Sequence, residues 1–271
     1  MIRFLGTRGT ISVSGDGFVK FGGNTPCLMI PVDEKRCVVL DGGTGIYKLN
    51  EYDQFNEFHI FLTHLHWDHI GGLPLFKPFY NPDKHIYIYL EDKSTLTSKD
   101  FLKVLFNPPF FPIPRTLLKS NIRFNLIRGG QHFVFGDVKI FSAEGNHPNG
   151  ALMYKIEDRG TTTLFATDYE HGTEVDDFLI EFAHGCDYLI FDTTYTPEDY
   201  DGKRDGIPKK GWGHSTYVKG AEFAEKAGVK HLVLYHHNPD YNDSEITKLC
   251  ESSKKLFDGT ICSYDGFEIE P

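Results

Sequence analysis

Thr63-His64-Leu65-His66-Trp67-Asp68-His69, inside the run FHIFLTHLHWDHIGGLP over 58–74, decides how this chain is read. Phe58 to Leu62 is short, apolar and rich in β-formers, which marks a buried strand. It delivers the chain to four potential metal ligands within six residues. His64 and His66 stand two apart, so at the end of an extended segment both point to one side. Asp68 and His69 then fall on a turn into a short helix, which Gly71 and Gly72 let pack closely. One pair can hold one cation and the next pair a second. Imidazoles with a carboxylate suit zinc, manganese or iron. A polar turn with coincidental histidines does not account for H-x-H-x-D-H directly after an apolar strand.

This pattern resembles the signature of the metallo-β-lactamase superfamily. The resemblance implies an αββα sandwich with up to two metals at the edge between the sheets. The rest of the chain reads in that sense. Strands are expected over 2–5, 28–31, 36–40, 84–90, 122–127, 132–135, 138–143, 152–157, 162–166, 188–191, 230–235 and 261–269. Helices are expected over 46–52, 93–106 and 173–183, then one capped by Ser215 or Thr216 that closes near Gly228, and a last one capped by Asp243 or Ser244. Strands followed by helices recur in both halves, as such an α/β sandwich requires. Residues 1–271 are therefore expected to form one domain, with a lid or interface insertion at about 93–114.

His147, Asp168 and His236 each follow the end of an expected strand, as the first motif does. The resemblance assigns His64, His66, His147 and Asp168 to one metal. It assigns Asp68, His69, Asp168 and His236 to a second, with Asp168 bridging. Bridged cations stand ~3.5–4 Å apart and acidify a water between them. His237 is the rival of His236, which is the simpler choice as the first histidine after its strand. Asp41, at another strand end, is either the partner that orients a ligand histidine or a plain helix cap.

Three further matches narrow the family. Phe4-Leu5-Gly6-Thr7 with Gly23-Asn24-Thr25, Asp192-Thr193-Thr194, and His214-Ser215-Thr216 resemble elements of ribonuclease Z-like proteins. The resemblance gives His214 a catalytic role on the leaving group or the phosphate oxygens, oriented by Asp192. Asp68 is expected to be catalytic as well as a ligand. Ribonuclease Z carries a long tRNA-gripping arm between the third-histidine region and the bridging aspartate. Here only residues 148–167 lie between them, and two strands use that length. A small phosphodiester or a nucleotide, cyclic ones included, is thus the expected substrate rather than tRNA. The alternatives are a lactone or thioester hydrolase of the same fold, a ribonuclease Z-like endoribonuclease, or a non-hydrolytic metal-binding sensor.

Bulk properties agree. At 271 residues, 40% apolar and 24% charged, the chain can bury a large core. Its formal charge of −10 argues against a nucleic-acid backbone as main partner. No apolar run approaches the ~18 residues of a membrane helix. Cys27, Cys37, Cys186, Cys250 and Cys262 form no C-x-x-C pair, and because MIRFLGTRG opens directly on a strand no secretion signal is expected. Reduced thiols and a cytoplasmic location are expected. Asn107-Pro108-Pro109-Phe110-Phe111-Pro112-Ile113-Pro114 cannot form regular structure and carries three large apolar side chains, as a core-packed loop, an aromatic lid or a homodimer contact would.

Overall fold

The computed structural model describes residues 1–92 and 98–271. Two seven-stranded mixed sheets pack face to face. The first holds β1 (Ile2–Gly6), β2 (Cys27–Pro31), β3 (Arg36–Leu40), β4 (Glu57–Phe61), β5 (His85–Glu91) and β6 (Asn121–Ile127) in sequence order. The second holds β7 (His132–Phe135), β8 (Val138–Gly145), β9 (Ala151–Asp158), β10 (Thr161–Ala166), β11 (Tyr188–Asp192), β12 (His231–Tyr235) and β13 (Thr260–Cys262). The short β14 (Glu268–Ile269) returns to the first sheet beside β1. β3 to β6 run parallel to one another, as do β10 to β13.

Helices cover the outer faces. These are α1 (Trp67–Ile70), α2 (Ser98–Leu105), α3 (Val175–Ala183), α4 (Pro197–Tyr200), α5 (Tyr217–Ala227) and α6 (Asp243–Leu256). The period-two alternation of side chains sorts the core into layers. Along β12, Val233 and Tyr235 face the other sheet, while Leu232 and Leu234 face the helices. Along β4, Phe61 enters the inter-sheet core and Phe58 and Ile60 meet the helical layer. Parallel strands buried on both faces read as continuous apolar runs, which is why the sequence marks them so plainly.

Several expectations need correction. The segment over 46–52 is a 3-10 helix, Thr44–Glu51. The expected helix start over 93–97 lies outside the described residues. Asn242, not Asp243 or Ser244, caps α6, through a capping box with Glu245. The expected terminal strand over 261–269 is two strands in different sheets, split by the bend at Gly266 (φ 100°). The thiols are not all reduced. Cys250 on α6 and Cys262 on β13 form a disulfide, brought to a Cα separation of 6.0 Å by the fold-back between helix and strand. Cys27, Cys37 and Cys186 are free and buried. Phe106 and Phe111 pack together, whereas Phe110 is 85% exposed. Among the described residues no helix is long and apolar enough to cross a membrane.

Phe61 shows what holds the sheets together. It is fully buried, stacks on Tyr89 at 4.0 Å, and meets Phe133, Phe135 and Tyr154 edge-on. Phe61→Ala removes that packing and should cost ~3–5 kcal/mol in urea unfolding. Phe110→Ala should stay within ~0.5 kcal/mol of the parent.

Candidate metal centre

The C-terminal ends of β3, β4, β8, β10, β11 and β12 open on one edge of the sandwich, because these strands share a direction. Each carries a polar residue just at or past its end. Asp41, Asp168 and His236 turn off their strands with positive φ, 63°, 54° and 60°. Such backbone costs roughly 1–3 kcal/mol at a non-glycine residue and gathers at functional sites.

His64, His66 and His147 make one group, and Asp68, His69, Asp168 and His236 a second. Within each, one donor atom per residue lies within 4.8 Å of all the others. His66 Nδ1 is 3.2 Å from His147 Nε2. His69 Nε2 and His236 Nε2 stand 3.1 and 3.3 Å from Asp168 Oδ2. The same nitrogens face Asp68 Oδ2 at 3.4 and 3.2 Å. The other Asp168 oxygen is 3.7 Å from His64 Nε2, so this carboxylate lies between the groups. His237 points elsewhere, donating from Nε2 to Ser263 O at 2.9 Å.

The outer ring nitrogens are tied down. His69 Nδ1 donates to Asp41 Oδ2 at 2.9 Å, and Asp41 also accepts the Thr63 N–H and hydroxyl. His64 Nδ1 meets Thr63 Oγ1 at 3.1 Å, and His236 Nδ1 meets Thr194 Oγ1 at 2.9 Å. His147 Nδ1 donates to Gly213 O at 2.8 Å. Asp41 is therefore an orienting partner and not a cap, since Gly43 stands at the N-cap of the Thr44–Glu51 helix. Thr63, Thr194 and the Gly213 carbonyl were missed by sequence reasoning. Thr63 and Thr194 stood inside the motifs it quoted, but a threonine carries no metal chemistry of its own. Close approach explains two glycines. A Cβ on Gly9 would stand 2.3 Å from the His236 ring, and one on Gly213 (φ 89°) 2.2 Å from His147 Nδ1.

The donor set fits divalent cations. His64 Nε2 and His69 Nε2 are fully buried yet have no hydrogen-bond partner. A buried ring nitrogen without a partner is costly, and a cation that accepts its lone pair satisfies it. Burial pushes the imidazoles of His64, His66 and His147 below their ordinary pKa, which keeps the neutral, ligating form. Burial opposes ionisation of Asp68 and Asp168, but the neighbouring histidines overcome it and hold both well below the carboxylate range. For His69 the balance is reversed. Burial disfavours its charge, but Asp168, Asp68 and Asp41 outweigh that and raise it.

Asp192, His214 and His236 also lie close enough to form a ligand group. Their hydrogen bonds argue otherwise. Asp192 accepts His214 Nδ1–H at 2.8 Å, the Thr194 N–H and hydroxyl at 3.0 and 2.7 Å, and the Tyr169 N–H at 3.3 Å. That carboxylate is saturated, and it fixes His214 with Nδ1 outward. The His214 ring stacks on His236 at 4.9 Å and meets His147 at 5.5 Å. Burial would lower its pKa, but the charge and hydrogen bond of Asp192, with Asp168 and Asp68, raise it to about 9.

Known proteins share this architecture. The β-lactamase superfamily domain profile matches residues 48–237. Ribonuclease Z of Picrophilus torridus is 24% identical over 322 aligned positions, covering 99% of this chain and 94% of that protein. YhfI of Bacillus subtilis, a metallo-β-lactamase-fold protein, superposes with a TM-score of 0.73 at 18% identity, over 98% of this chain and 96% of that one. A diphosphatase of the PhnP family gives 0.71 at 19% identity, over 100% and 97%.

Metal analysis after dialysis tests the grouping. The parent should retain two divalent ions per chain, and Asp168→Ala should lose both or nearly both, because it alone faces each group. His236→Ala should lose one and His237→Ala none. Two tightly held ions in Asp168→Ala would contradict the shared carboxylate.

Proposed function

The chain belongs to the β-lactamase superfamily, and we propose that this hydrolase of metallo-β-lactamase fold cleaves small phosphodiesters of nucleotide or cyclic-nucleotide type. In this reading His64, His66, His147 and Asp168 hold one divalent cation. Asp68, His69, Asp168 and His236 hold the other. Zinc is the cation we expect, while manganese and iron suit the same donors. When bound, the cations supply Lewis acidity that acidifies a water and neutralises charge on the phosphate oxygens.

The chain's own groups do the rest. Asp68, held by the Thr10 N–H at 2.7 Å, would accept a hydrogen bond from the attacking water and orient it. His214 is held through Nδ1–H by Asp192, which favours its protonated form, and no hydrogen bond engages its Nε2 among the described residues. It gives the Nε2 proton to the departing oxygen. Asp192 keeps the imidazole in one tautomer and orientation, a positioning role. The His214–Asp192 pair beside both ligand groups is the observation that carries the reading. A poor alkoxide leaving group needs such an acid.

Two features support a small substrate with a flat ring. Residues between His147 and Asp168 are used up by the β9–β10 hairpin, which leaves no room at that place for an arm to grip tRNA. Ile11, Trp67 and Trp212 are 61%, 66% and 51% exposed. Each adjoins a residue of the cleft: Thr10 bonded to Asp68, His66 itself, and Gly213 bonded to His147. The indoles of Trp67 and Trp212, left in solvent beside the cleft, suit the stacking of a base, and Ile11 adds an apolar contact. The similarity to ribonuclease Z and to a diphosphatase supports phosphoryl chemistry over lactone or thioester hydrolysis.

Bis(p-nitrophenyl) phosphate and cyclic nucleotides should be cleaved faster than monoesters, lactones or thioesters. A panel won by a lactone or thioester, without diester turnover, moves the protein to the other class. His214→Ala should keep its metals and fold while kcat falls ~100- to 10,000-fold on an alkyl diester. The fall should be much smaller with p-nitrophenolate, which leaves without protonation.

A further inference from the structure

The segment after Asp168 reaches both sides of the cleft. Glu170 is 8% exposed, and no lysine, arginine or histidine pairs with it among the described residues. Its carboxylate is met by main chain instead. Oε1 accepts the Gly211 N–H at 2.5 Å and the Tyr200 hydroxyl at 3.0 Å, and Oε2 accepts the Gly213 N–H at 2.9 Å. Gly211 and Gly213 have φ of 88° and 89°, so this turn has backbone freedom that must be removed to give it one shape. The Glu170 main chain is tied as firmly on the other side, donating to Asn146 O at 2.8 Å and accepting from Asn146 Nδ2 at 2.6 Å.

Those contacts end on functional groups. Asn146 precedes His147, whose Nδ1 donates to Gly213 O. Gly213 precedes His214. On the far side of His214, Ser215 Oγ meets His171 Nδ1 at 2.8 Å, and the His171 ring packs on Tyr200 at 4.6 Å. The Tyr169 N–H reaches Asp192. Residues before and after His214, and its carboxylate partner, are thus all held by the stretch 169–171. A buried carboxylate is a poor device for stability alone, since an apolar plug avoids its desolvation. Charge-assisted bonds to two main-chain N–H groups are a good device for fixing a turn.

We propose that Glu170 is a positioning residue for the hydrolytic reaction: it fixes the Gly211–Gly213 turn so that His214 meets Asp192 and His147 keeps its inward nitrogen on the ligand group. The proposal rests on the reading of His214 as proton donor. Glu170 touches neither substrate nor cation and acts through these two histidines.

The test uses Glu170→Ala, Glu170→Gln, His214→Ala and the double variant Glu170→Ala/His214→Ala. Each is assayed with manganese titrated up to saturation, kcat being read at saturation, on a p-nitrophenyl and an alkyl diester of one nucleoside 5′-phosphate. Glu170→Ala should lower kcat on the alkyl ester about 10- to 100-fold, with KM little changed and a far smaller loss on the p-nitrophenyl ester. Its apparent manganese affinity should fall by a similar factor through His147. Glu170→Gln keeps size and one acceptor oxygen, so it should keep its Tm and show an intermediate loss. The double variant should be no slower on the alkyl ester than His214→Ala, because the two losses share one route. If His214→Ala is costly but Glu170→Ala slows both esters equally, or the losses multiply, the positioning role is overturned alone. If His214→Ala costs nothing on the alkyl ester, the proton-donor reading fails and takes the route through His214 with it.

Discussion

Asp41, Asp68, Asp168 and Asp192 lie between 0 and 9% exposed at one end of the sandwich. A buried carboxylate is tolerated only when donors or a cation meet it, because its desolvation costs several kcal/mol. The structure answers this in two ways. Asp41 and Asp192 are saturated by protein donors, and each holds one imidazole in place. Asp68 and Asp168 face imidazole nitrogens that look inward, two of which have no hydrogen-bond partner. The first pair orients imidazoles; the second pair stands among the candidate ligands, each with one further protein donor, Thr10 N–H or the Thr167 hydroxyl. That division separates the two ligand groups from the Asp192–His214 pair, though all lie within a few ångströms.

The fold pays the conformational cost of the arrangement at the strand ends. Asp41, Asp168 and His236 take left-handed backbone where their strands end, and Gly9 packs closely on the His236 ring. Loops supply the chemistry and the sheets supply rigidity, as expected when functional residues sit where regular structure stops. Thr63 and Thr194 link the layers, each accepting from a histidine while donating to an aspartate. Such chains of hydrogen bonds give one well-defined geometry only when every member is satisfied.

Much of this was legible in the sequence for a physical reason. Strands buried on both faces must be apolar throughout, so their ends are visible, and the histidines and aspartates at those ends stand out. What stayed hidden depends on tertiary contact. Cys250 and Cys262 are twelve positions apart and meet only because α6 folds back on β13. Glu268 and Ile269 follow β13 by only a few residues yet belong to the other sheet. Asn242 outcompetes Asp243 as cap because Glu245 completes its box. Glu170 reads as one more acidic residue of an acidic chain, and only the turn at Gly211–Gly213 gives it a purpose.

The central claim is that Asp168 lies between two cations and that His214 lies outside both. Anomalous diffraction from crystals soaked in zinc or manganese measures this directly. Two peaks about 3.5–4 Å apart are predicted, one among His64, His66 and His147 and one among Asp68, His69 and His236, each in contact with Asp168. A single peak, or a peak held by Asp192, His214 and His236, would contradict it.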